Sequence, residues 1–253
     1  MISWEKRPGN SILEIKGLSK SFGGLQALMG FDLQVSPKDL IGIIGPNGAG
    51  KTTLFNLMTG FIRPDSGEVW YKGEEISHLK PYEIVNRGIS RTFQLADIFR
   101  EMTVLENVMI PCYSHRAKMQ QPSEKKTWEM AMDFLDEMGM AARWKETAKN
   151  LTFGELRLLD IARAMASRPD ILLLDEPFSG LDKEDATTLA SAIERMHEKG
   201  QTMLIIEHRL RDLLRLVQRV VAIVFGEKVA EGPPREIMEN PKVVTAYLGE
   251  RRK

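Results

Sequence analysis

A glycine-rich segment constrains this chain more than any other feature of its sequence. Residues 45–53 read Gly-Pro-Asn-Gly-Ala-Gly-Lys-Thr-Thr and fit the pattern G-x-x-x-x-G-K-[ST]. An apolar run at residues 40–44 precedes the segment, and apolar residues at helical spacing follow it over 54–58. The glycines therefore stand where a buried strand is expected to turn into a helix, which is the context that a phosphate-binding loop requires.

The physical basis of such a loop is anion binding by the backbone. Glycines let successive N–H groups converge on a phosphate, and the start of a helix adds partial positive charge. In this pattern Lys51 reaches the β- and γ-phosphates, and the Thr52 hydroxyl ligates Mg²⁺. The alternative is a glycine-rich turn without ligand, but the filled motif favours phosphate. The candidate nucleotide-binding residues of the loop are Gly45, Pro46, Asn47, Gly48, Ala49, Gly50, Lys51, Thr52 and Thr53.

Two adjacent carboxylates form a second strong signal. Asp175 and Glu176 end an apolar run at 171–174, which predicts a strand covered on both faces of a parallel sheet. Open α/β sheets bind ligands at the carboxyl ends of their strands, where the glycine-rich loop is also expected. Asp175 can then serve Mg²⁺ directly or through water, and Glu176 can polarise an attacking water as general base. The alternative is a solvated acidic pair at a strand end.

Composition and charge exclude several classes of protein. The chain has 253 residues, one cysteine and a formal net charge of zero. This length suits one large domain, or a core domain with a smaller addition. The single cysteine, Cys112, excludes an internal disulfide framework and is interpreted as a small core residue. The absence of excess positive charge argues against a dedicated nucleic-acid-binding domain.

The chain also lacks the sequence signals of membrane insertion. Its N-terminal residues have no apolar run of the kind found in signal peptides, and no apolar stretch is long enough to cross a bilayer. We therefore expect a cytoplasmic protein. This expectation leaves open a peripheral position on the cytoplasmic side of the cell membrane, bound to a membrane partner.

The strand and helix pattern predicts an α/β core interrupted by a helical insertion. Strand signals surround the glycine-rich loop, and a hairpin with a turn at Gly23-Gly24 opens the chain. The strand signals vanish over 95–168 and then return. The predicted division is a single domain whose nucleotide-binding core is formed by 1–94 and 169–253, with a helical subdomain over 95–168.

Methionines crowd the predicted insertion. Ser123 is expected to cap a helix that stops at Gly139, with apolar residues at helical spacing between them. We favour core filling as the interpretation of these methionines. The alternative is an adaptable surface for a partner helix, because methionine packs against irregular shapes. The methionines concerned are Met102, Met109, Met119, Met130, Met132, Met138 and Met140.

Taken together, these motifs resemble those of ATP-binding-cassette ATPases over nearly the whole chain, in that family's order. Phe22 matches the aromatic residue that stacks on adenine, although alone it could equally pack in a small sheet. Gln94 matches the glutamine that senses Mg²⁺ and the attacking water and couples to the transmembrane subunit. Asp175 and Glu176 match the Walker B pair, and His208 matches the switch histidine that contacts the γ-phosphate.

The resemblance implies a fold, cofactors and residue roles. The implied fold is an α/β P-loop NTPase core with a parallel sheet, an N-terminal antiparallel β subdomain and the inserted helical subdomain. ATP and Mg²⁺ are the implied cofactors, and 179–182 match the family's D-loop. The implied catalytic residues are Glu176, His208, Gln94 and Lys51, and the implied metal ligands are Thr52, Gln94 and Asp175.

A departure from the family's commonest pattern occurs at the signature segment, 151–155, which reads Leu-Thr-Phe-Gly-Glu instead of Leu-Ser-Gly-Gly-Gln. Thr152 keeps the hydroxyl and Gly154 a glycine, whereas Phe153 and Glu155 are changed. The resemblance implies that two cassettes meet head to tail, with each ATP between one P-loop and the other subunit's signature. The candidate nucleotide contacts of this segment are thus Thr152, Gly154 and Glu155. A helix is expected to begin at Glu155, so that its N-terminus faces the γ-phosphate. The Glu155 carboxylate adds negative charge near that phosphate.

Several segments are similar to the ATPase subunits of branched-chain amino acid importers. They are Arg91-Thr92-Phe93-Gln94, residues 205–209, the aromatic residue of the signature and the ending 240–250. The implied partners are a second cassette, identical or different, transmembrane permease subunits and, indirectly, a periplasmic or extracellular solute-binding protein. Related importers of urea, short amides or aromatic acids have similar ATPases, and the cargo is bound by other subunits.

The permease contact is expected just after Gln94. On family grounds, a groove near Phe99, Arg100, Met102 and Thr103 receives a short helix from the permease. The alternative is that these residues form an ordinary loop and part of the subdomain core.

Two rival functions are less consistent with the sequence. A cassette for chromosome maintenance would need a long heptad-repeat insertion, and one for translation control usually needs two cassettes in tandem; the sequence has neither. An unrelated P-loop kinase or GTPase has no use for a trans-acting signature and a switch histidine.

Overall fold

Two compact units make up the described part of the chain, which is residues 11–92, 98–120 and 123–250 of a computed structural model. The first unit comprises the described residues up to Pro81 and those from Thr202 onward. The second comprises the described residues from Tyr82 to Gln201. The predicted helical subdomain, 95–168, falls within the second unit, and its boundaries stay a prediction.

Strands and helices are numbered in chain order. The strands are β1 (Leu13–Phe22), β2 (Leu25–Val35), β3 (Leu40–Ile44), β4 (Ser66–Tyr71), β5 (Glu74–Glu75), β6 (Ile89–Arg91), β7 (Ile171–Asp175), β8 (Thr202–Ile206), β9 (Arg219–Val224) and β10 (Glu227–Gly232). The helices are α1 (Lys51–Met58), α2 (Pro81–Arg87), α3 (Val104–Cys112), α4 (His115–Gln120), α5 (Glu124–Glu137), α6 (Phe153–Ala166), α7 (Lys183–Glu198), α8 (Leu210–Leu216), α9 (Pro234–Glu239) and α10 (Pro241–Glu250).

An antiparallel sheet in the order β2-β1-β4-β5 forms one layer of the first unit. Its first two strands are the hairpin predicted from the sequence, which closes through Gly23-Gly24 with Phe22 opposite Leu25. Leu13 and Ile15 alternate with less buried neighbours, as expected for strands with one face on a core. The predicted N-terminal β subdomain is therefore present in the described residues.

A second layer of the first unit contains the central strand β3. It pairs in parallel with β8 on one side and with β9 on the other, and β9 pairs antiparallel with β10. Every residue of β3 and β8 is buried, which explains their continuous apolar sequences. The predicted strand before the glycine-rich loop is confirmed.

The second unit combines two parallel strands with a set of helices. Strand β6 pairs with β7, and Ile89 lies opposite Ile171. As predicted, Ser123 caps α5, whose last residue, Glu137, comes shortly before Gly139. No helix within the three described ranges is both long and apolar enough to cross a membrane.

Buried methionines help to fill the interior of the second unit. Met130, Met138 and Met140 are at most 6% exposed, which confirms core filling for these three. Met119, by contrast, is 76% exposed. Cys112 is buried as predicted, and this burial raises the pKa of its thiol to about 12.

Candidate functional site

The glycine-rich loop connects β3 to α1 and folds around the side chain of Lys51. The Lys51 ammonium donates hydrogen bonds to the carbonyl oxygens of Gly45, at 2.7 Å, and Pro46, at 2.9 Å. Lys51 is only 5% exposed, whereas Asn47 and Gly48 at the tip of the loop are exposed. The loop thus carries a preset cation beneath an accessible stretch of backbone.

Close approach of other backbone segments explains two of the loop glycines. A Cβ on Gly45 would lie 2.1 Å from the carbonyl oxygen of Ile223, and one on Gly50 would lie 2.3 Å from that of Ala27. Gly48 has open space around it, but its φ of +74° lies in the left-handed region that favours glycine. The sequence pattern is therefore required by the local packing.

The start of α1 is built to receive an anion. Gly50 occupies the N-cap position with φ 104° and ψ 4°, and neither an acidic residue nor a side-chain cap satisfies the first turn. The N–H groups of a first helical turn have no acceptors within the helix. Thr52, in that turn, is exposed, and the β9–β10 turn steadies the loop because Gly226 donates its N–H to Ala49 O at 3.0 Å.

His208 leaves the sheet at the same edge as the loop. In the parallel pairing of β3 and β8, Ile43 lies opposite Ile206, so the residues after both strands emerge side by side. Glu207, the residue that follows β8, is buried, and His208 after it is exposed. The structure thus brings the histidine and the glycine-rich loop to one edge of the first unit.

Phe22 lies at the end of β1, where the hairpin turns. Its ring is 48% exposed, and the Lys20 ammonium lies 5.7 Å from the ring centroid. This exposure contradicts the alternative that the ring is packed inside the small sheet. One face of an aromatic ring is accordingly accessible to a planar ligand.

The acidic pair lies at the end of β7, in the second unit. Asp175 is 4% exposed, and its Oδ2 accepts a hydrogen bond from Arg91 Nη2 at 2.5 Å. Thr92 fastens the two strand ends together, because its N–H donates to Leu173 O at 2.9 Å and its hydroxyl accepts from Asp175 N–H at 3.3 Å. Gln94 follows by sequence, but it lies outside the described residues.

Glu176 begins a tight turn with an unusual backbone. Its φ is 49°, in the left-handed region, and its carbonyl accepts the N–H of Ser179 at 3.1 Å. A non-glycine residue pays roughly 1 kcal/mol or more for that conformation. Such strain is found at functional sites when the surrounding structure enforces it.

The signature segment forms the N-terminal cap of α6. Thr152 Oγ1 accepts the N–H of Glu155 at 3.3 Å, and Glu155 Oε2 accepts the N–H of Thr152 at 2.8 Å. The prediction that the helix begins at Glu155 is wrong by two residues, since α6 begins at Phe153. The reciprocal capping pair fixes the earlier start.

The two central signature residues pack against the D-loop region. A Cβ on Gly154 would lie 2.2–2.4 Å from the Asp185 carboxylate, so no larger residue fits without movement. The Phe153 ring packs over Gly180, and a Cβ on that glycine would lie 2.9 Å from Phe153 Cε1. Asp182, the last residue of the D-loop, caps α7 by accepting the N–H of Asp185 at 2.8 Å.

Arg143 is a charged neighbour of the signature that sequence reasoning missed. Its guanidinium pairs with Glu155 through Nη1 and with Glu146 through Nε and Nη2. No spacing rule connects Arg143 to the signature, because the contact is tertiary. The capping pattern Thr-x-x-Glu, by contrast, stands in the sequence and could have been recognised.

Two family profiles match the chain. The profile described as "ABC transporter" matches residues 28–179. The profile described as "Branched-chain amino acid ATP-binding cassette transporter" matches residues 227–253.

Relatives and solved structures match over almost the full length. The high-affinity branched-chain amino acid transport ATP-binding protein BraF of Pseudomonas aeruginosa is 39% identical, over 94% of this chain and 98% of the relative. Protein LivG of Escherichia coli, described in the same words, is 36% identical over the same shares. The ADP conformation of MJ1267, an ATP-binding cassette of an ABC transporter, superimposes with a TM-score of 0.86 at 33% identity, covering 94% of this chain and 99% of that one.

Proposed function

Because the chain belongs to the ATP-binding cassette (ABC) transporter family of ATPases, we propose that it powers the import of branched-chain amino acids. The observation that carries this cargo is the match of residues 227–253 to the branched-chain amino acid cassette profile. Relatives named for that transport, at 36–39% identity over 94% of the chain, support it.

In this proposal the first unit binds the nucleotide. The loop from Gly45 to Thr53 cradles the phosphates with its backbone N–H groups, and Lys51 turns from its two carbonyl acceptors toward the β- and γ-phosphates. Phe22 stacks on the adenine with its exposed ring face. His208 donates to the γ-phosphate from the same edge of the sheet.

Thr52, Asp175 and Gln94 are the proposed ligands of Mg²⁺. The donor chemistry fits, because Mg²⁺ prefers carboxylate and hydroxyl oxygens and keeps other positions for phosphate oxygens and water. Among the described residues no cluster of three or more His, Cys, Asp or Glu side chains could hold a metal ion. When bound, the ion would offset negative charge on the phosphates.

Glu176 is the proposed general base. Its carboxylate takes a proton from the attacking water, which makes the oxygen a better nucleophile toward the γ-phosphate. The neighbouring Asp175 is held at the end of β7 by Arg91 and is the proposed Mg²⁺ ligand, which leaves Glu176 as the candidate base. The left-handed turn fixes where the Glu176 side chain leaves the strand.

A second cassette completes each site in this proposal. The signature of one subunit, at Thr152, Gly154 and Glu155, approaches the γ-phosphate held by the other subunit's loop. ATP binding therefore closes the dimer, and hydrolysis opens it.

The proposed permease-docking surface consists of Phe99, Arg100, Met102 and Thr103. Phe99 supports this role because it is 47% exposed. The complex sits on the cytoplasmic side of the membrane.

Co-purification tests the proposed function. The chain is expressed with the permease and binding-protein genes that neighbour its own, and ATP hydrolysis by the membrane complex is measured in nanodiscs. We expect stimulation by a binding protein loaded with leucine, isoleucine or valine. Stimulation only by urea, an amide or an aromatic acid would reassign the cargo within the same transport mechanism. An ATPase that purifies without membrane subunits and responds to DNA ends would contradict transport.

A further inference from the structure

The Glu155 carboxylate forms an ion pair with an arginine of the same chain. Arg143 stands at the end of a short 3₁₀ turn, Ala141–Arg143, and its Nη1 contacts Glu155 Oε1. Nε and Nη2 of the same guanidinium hold Glu146 Oε2 at 2.9 and 2.6 Å. Glu146 therefore fixes the orientation of the guanidinium, and one edge of it faces the signature.

Both oxygens of the Glu155 carboxylate are thereby occupied. Oε2 accepts the Thr152 N–H at 2.8 Å within the capping pair, and Oε1 is paired with Arg143. The side chain is folded back over the start of α6 rather than extended away from it. The Arg143 and Glu155 side chains are 32% and 25% exposed, so water screens the pair only in part.

We infer that Arg143 is a positioning residue that lets a signature with glutamate in place of glutamine accept a phosphate. A glutamine could form the same capping bond through its amide oxygen without adding charge. Glutamate makes that bond with a charge that repels a phosphate. Arg143, which it shares with Glu146, offsets part of this charge and keeps the carboxylate turned toward the cap.

The inference rests on the proposed function, in which the signature meets the γ-phosphate of a partner cassette. It goes further, because it assigns to a residue outside the family motifs an effect on ATP engagement. It also predicts an asymmetric dependence: Arg143 matters where position 155 carries glutamate and matters little where it carries glutamine.

A double-mutant cycle in the purified transporter complex tests the inference. The ATP concentration at half-maximal hydrolysis is measured for the parent, Arg143→Met, Glu155→Gln and the double variant. We expect Arg143→Met to raise it about fivefold in the parent, as a partly exposed ion pair can. In the Glu155→Gln background, Arg143→Met should raise the ATP concentration at half-maximal hydrolysis less than about twofold. This ratio is taken relative to Glu155→Gln alone, so the value of that single variant does not matter.

A neighbouring ion pair provides the control. Lys149 pairs with Glu101 at 2.9 Å and precedes Thr152 by three residues. Lys149→Met removes the same charge near the signature, and we expect less than about a twofold change. Thermal unfolding of each free chain and ATP-induced association of Glu176→Gln chains are measured in parallel. A purely structural role of Arg143 would lower the unfolding temperature and leave the ATP dependence of association by the folded chains unchanged.

Each result decides between the alternatives. Equal effects of Arg143→Met in the two backgrounds, no effect in either, or an equal effect of Lys149→Met would overturn the role of Arg143 and leave the transporter function intact. A parent complex that does not hydrolyse ATP would contradict the proposed function itself, and the role of Arg143 would fall with it.

Discussion

Arg91 Nη2 and Asp175 Oδ2 lie 2.5 Å apart, and each of the two side chains is only 5% exposed. The pair joins the end of β6 to the end of β7 in the second unit. It holds the proposed Mg²⁺ ligand in place before any metal arrives. Removal of Arg91 would leave the Asp175 carboxylate without this cation in a nearly dry environment.

We expect Arg91→Met to lower the free energy of unfolding by about 3 kcal/mol, because Asp175 would remain buried without its cation. Urea unfolding in metal-free buffer measures this change. Addition of Asp175→Asn to that variant should restore part of the loss. Arg235→Met, which breaks a pair that is 90% and 71% exposed, serves as control and should change stability by less than about 0.5 kcal/mol. A loss below about 1 kcal/mol in Arg91→Met would contradict the importance of the pair.

Glu176→Gln should retain ATP binding but lower the hydrolysis rate at least about 100-fold, because the amide cannot accept the proton of the attacking water. The ATP-bound dimer should then accumulate. Phosphate release and size-exclusion chromatography with light scattering measure the two effects. Glu184→Gln, an exposed residue in the first turn of α7, is the matched control. Hydrolysis by Glu176→Gln at the parent rate would show that another group is the base.

Gly50→Ala and Gly48→Ala should differ sharply. The Cβ added at Gly50 would lie 2.3 Å from the Ala27 carbonyl oxygen, so the loop must move and ATP binding should be lost. The Cβ added at Gly48 meets nothing within 4 Å, and only the positive φ opposes it, at about 1 kcal/mol. Calorimetric titration with ATP and thermal denaturation measure both effects. Equal behaviour of the two variants would contradict the packing argument.

Phe22→Ala should raise the dissociation constant for ATP about fivefold, because the exposed ring supplies a stacking surface for the base. Phe22→Tyr keeps the ring and should change the constant less than about twofold. Leu25→Ala is a control for loss of exposed apolar surface on the same hairpin, since Leu25 is 70% exposed. Fluorescence titration with a labelled nucleotide measures the constants. If Phe22→Ala binds ATP as the parent does, adenine stacks elsewhere.

The Cys112 thiol should resist alkylation in the folded chain. Burial raises its pKa from an ordinary 9.0 to about 12, so almost no thiolate forms at pH 8. Iodoacetamide labelling with and without denaturant measures this protection. Because the folded pKa lies above the unfolded one, the stability due to the neutral thiol is complete below pH 9.0 and is lost as pH rises toward 12. Cys112→Ala should remove that part of the alkaline decline, and rapid labelling of the native chain would contradict the burial.

The sequence predicted best those features that depend on local chemistry. The glycine-rich loop was recognisable because its residues act through their own backbone, and Gly45 and Gly50 are the positions where no side chain fits. The strands at residues 40–44 and 171–174 were predictable because burial on both faces demands continuous apolar residues. The helix cap at Ser123 was predictable for a similar reason, since a cap is a contact within one turn.

Contacts between distant segments were beyond the sequence. Nothing in the spacing places Arg143 beside Glu155, Asp185 against Gly154, or Phe153 over Gly180. These contacts depend on how elements pack, which a single sequence does not encode in a pattern readable by eye. The unit boundaries at Pro81 and Thr202 depend in the same way on packing.

The left-handed backbone at Glu176 makes stability and ATP hydrolysis favour different residues at the same position. Glycine adopts this conformation without strain, so Glu176→Gly would relieve roughly 1 kcal/mol at the end of β7. A directed-evolution campaign that selects only for heat tolerance would therefore be drawn toward glycine at the position of the proposed base. Thermostable libraries and consensus designs built on this chain therefore need an ATPase screen at residue 176. Glycine has the least backbone strain there, but it lacks the carboxylate of the proposed base.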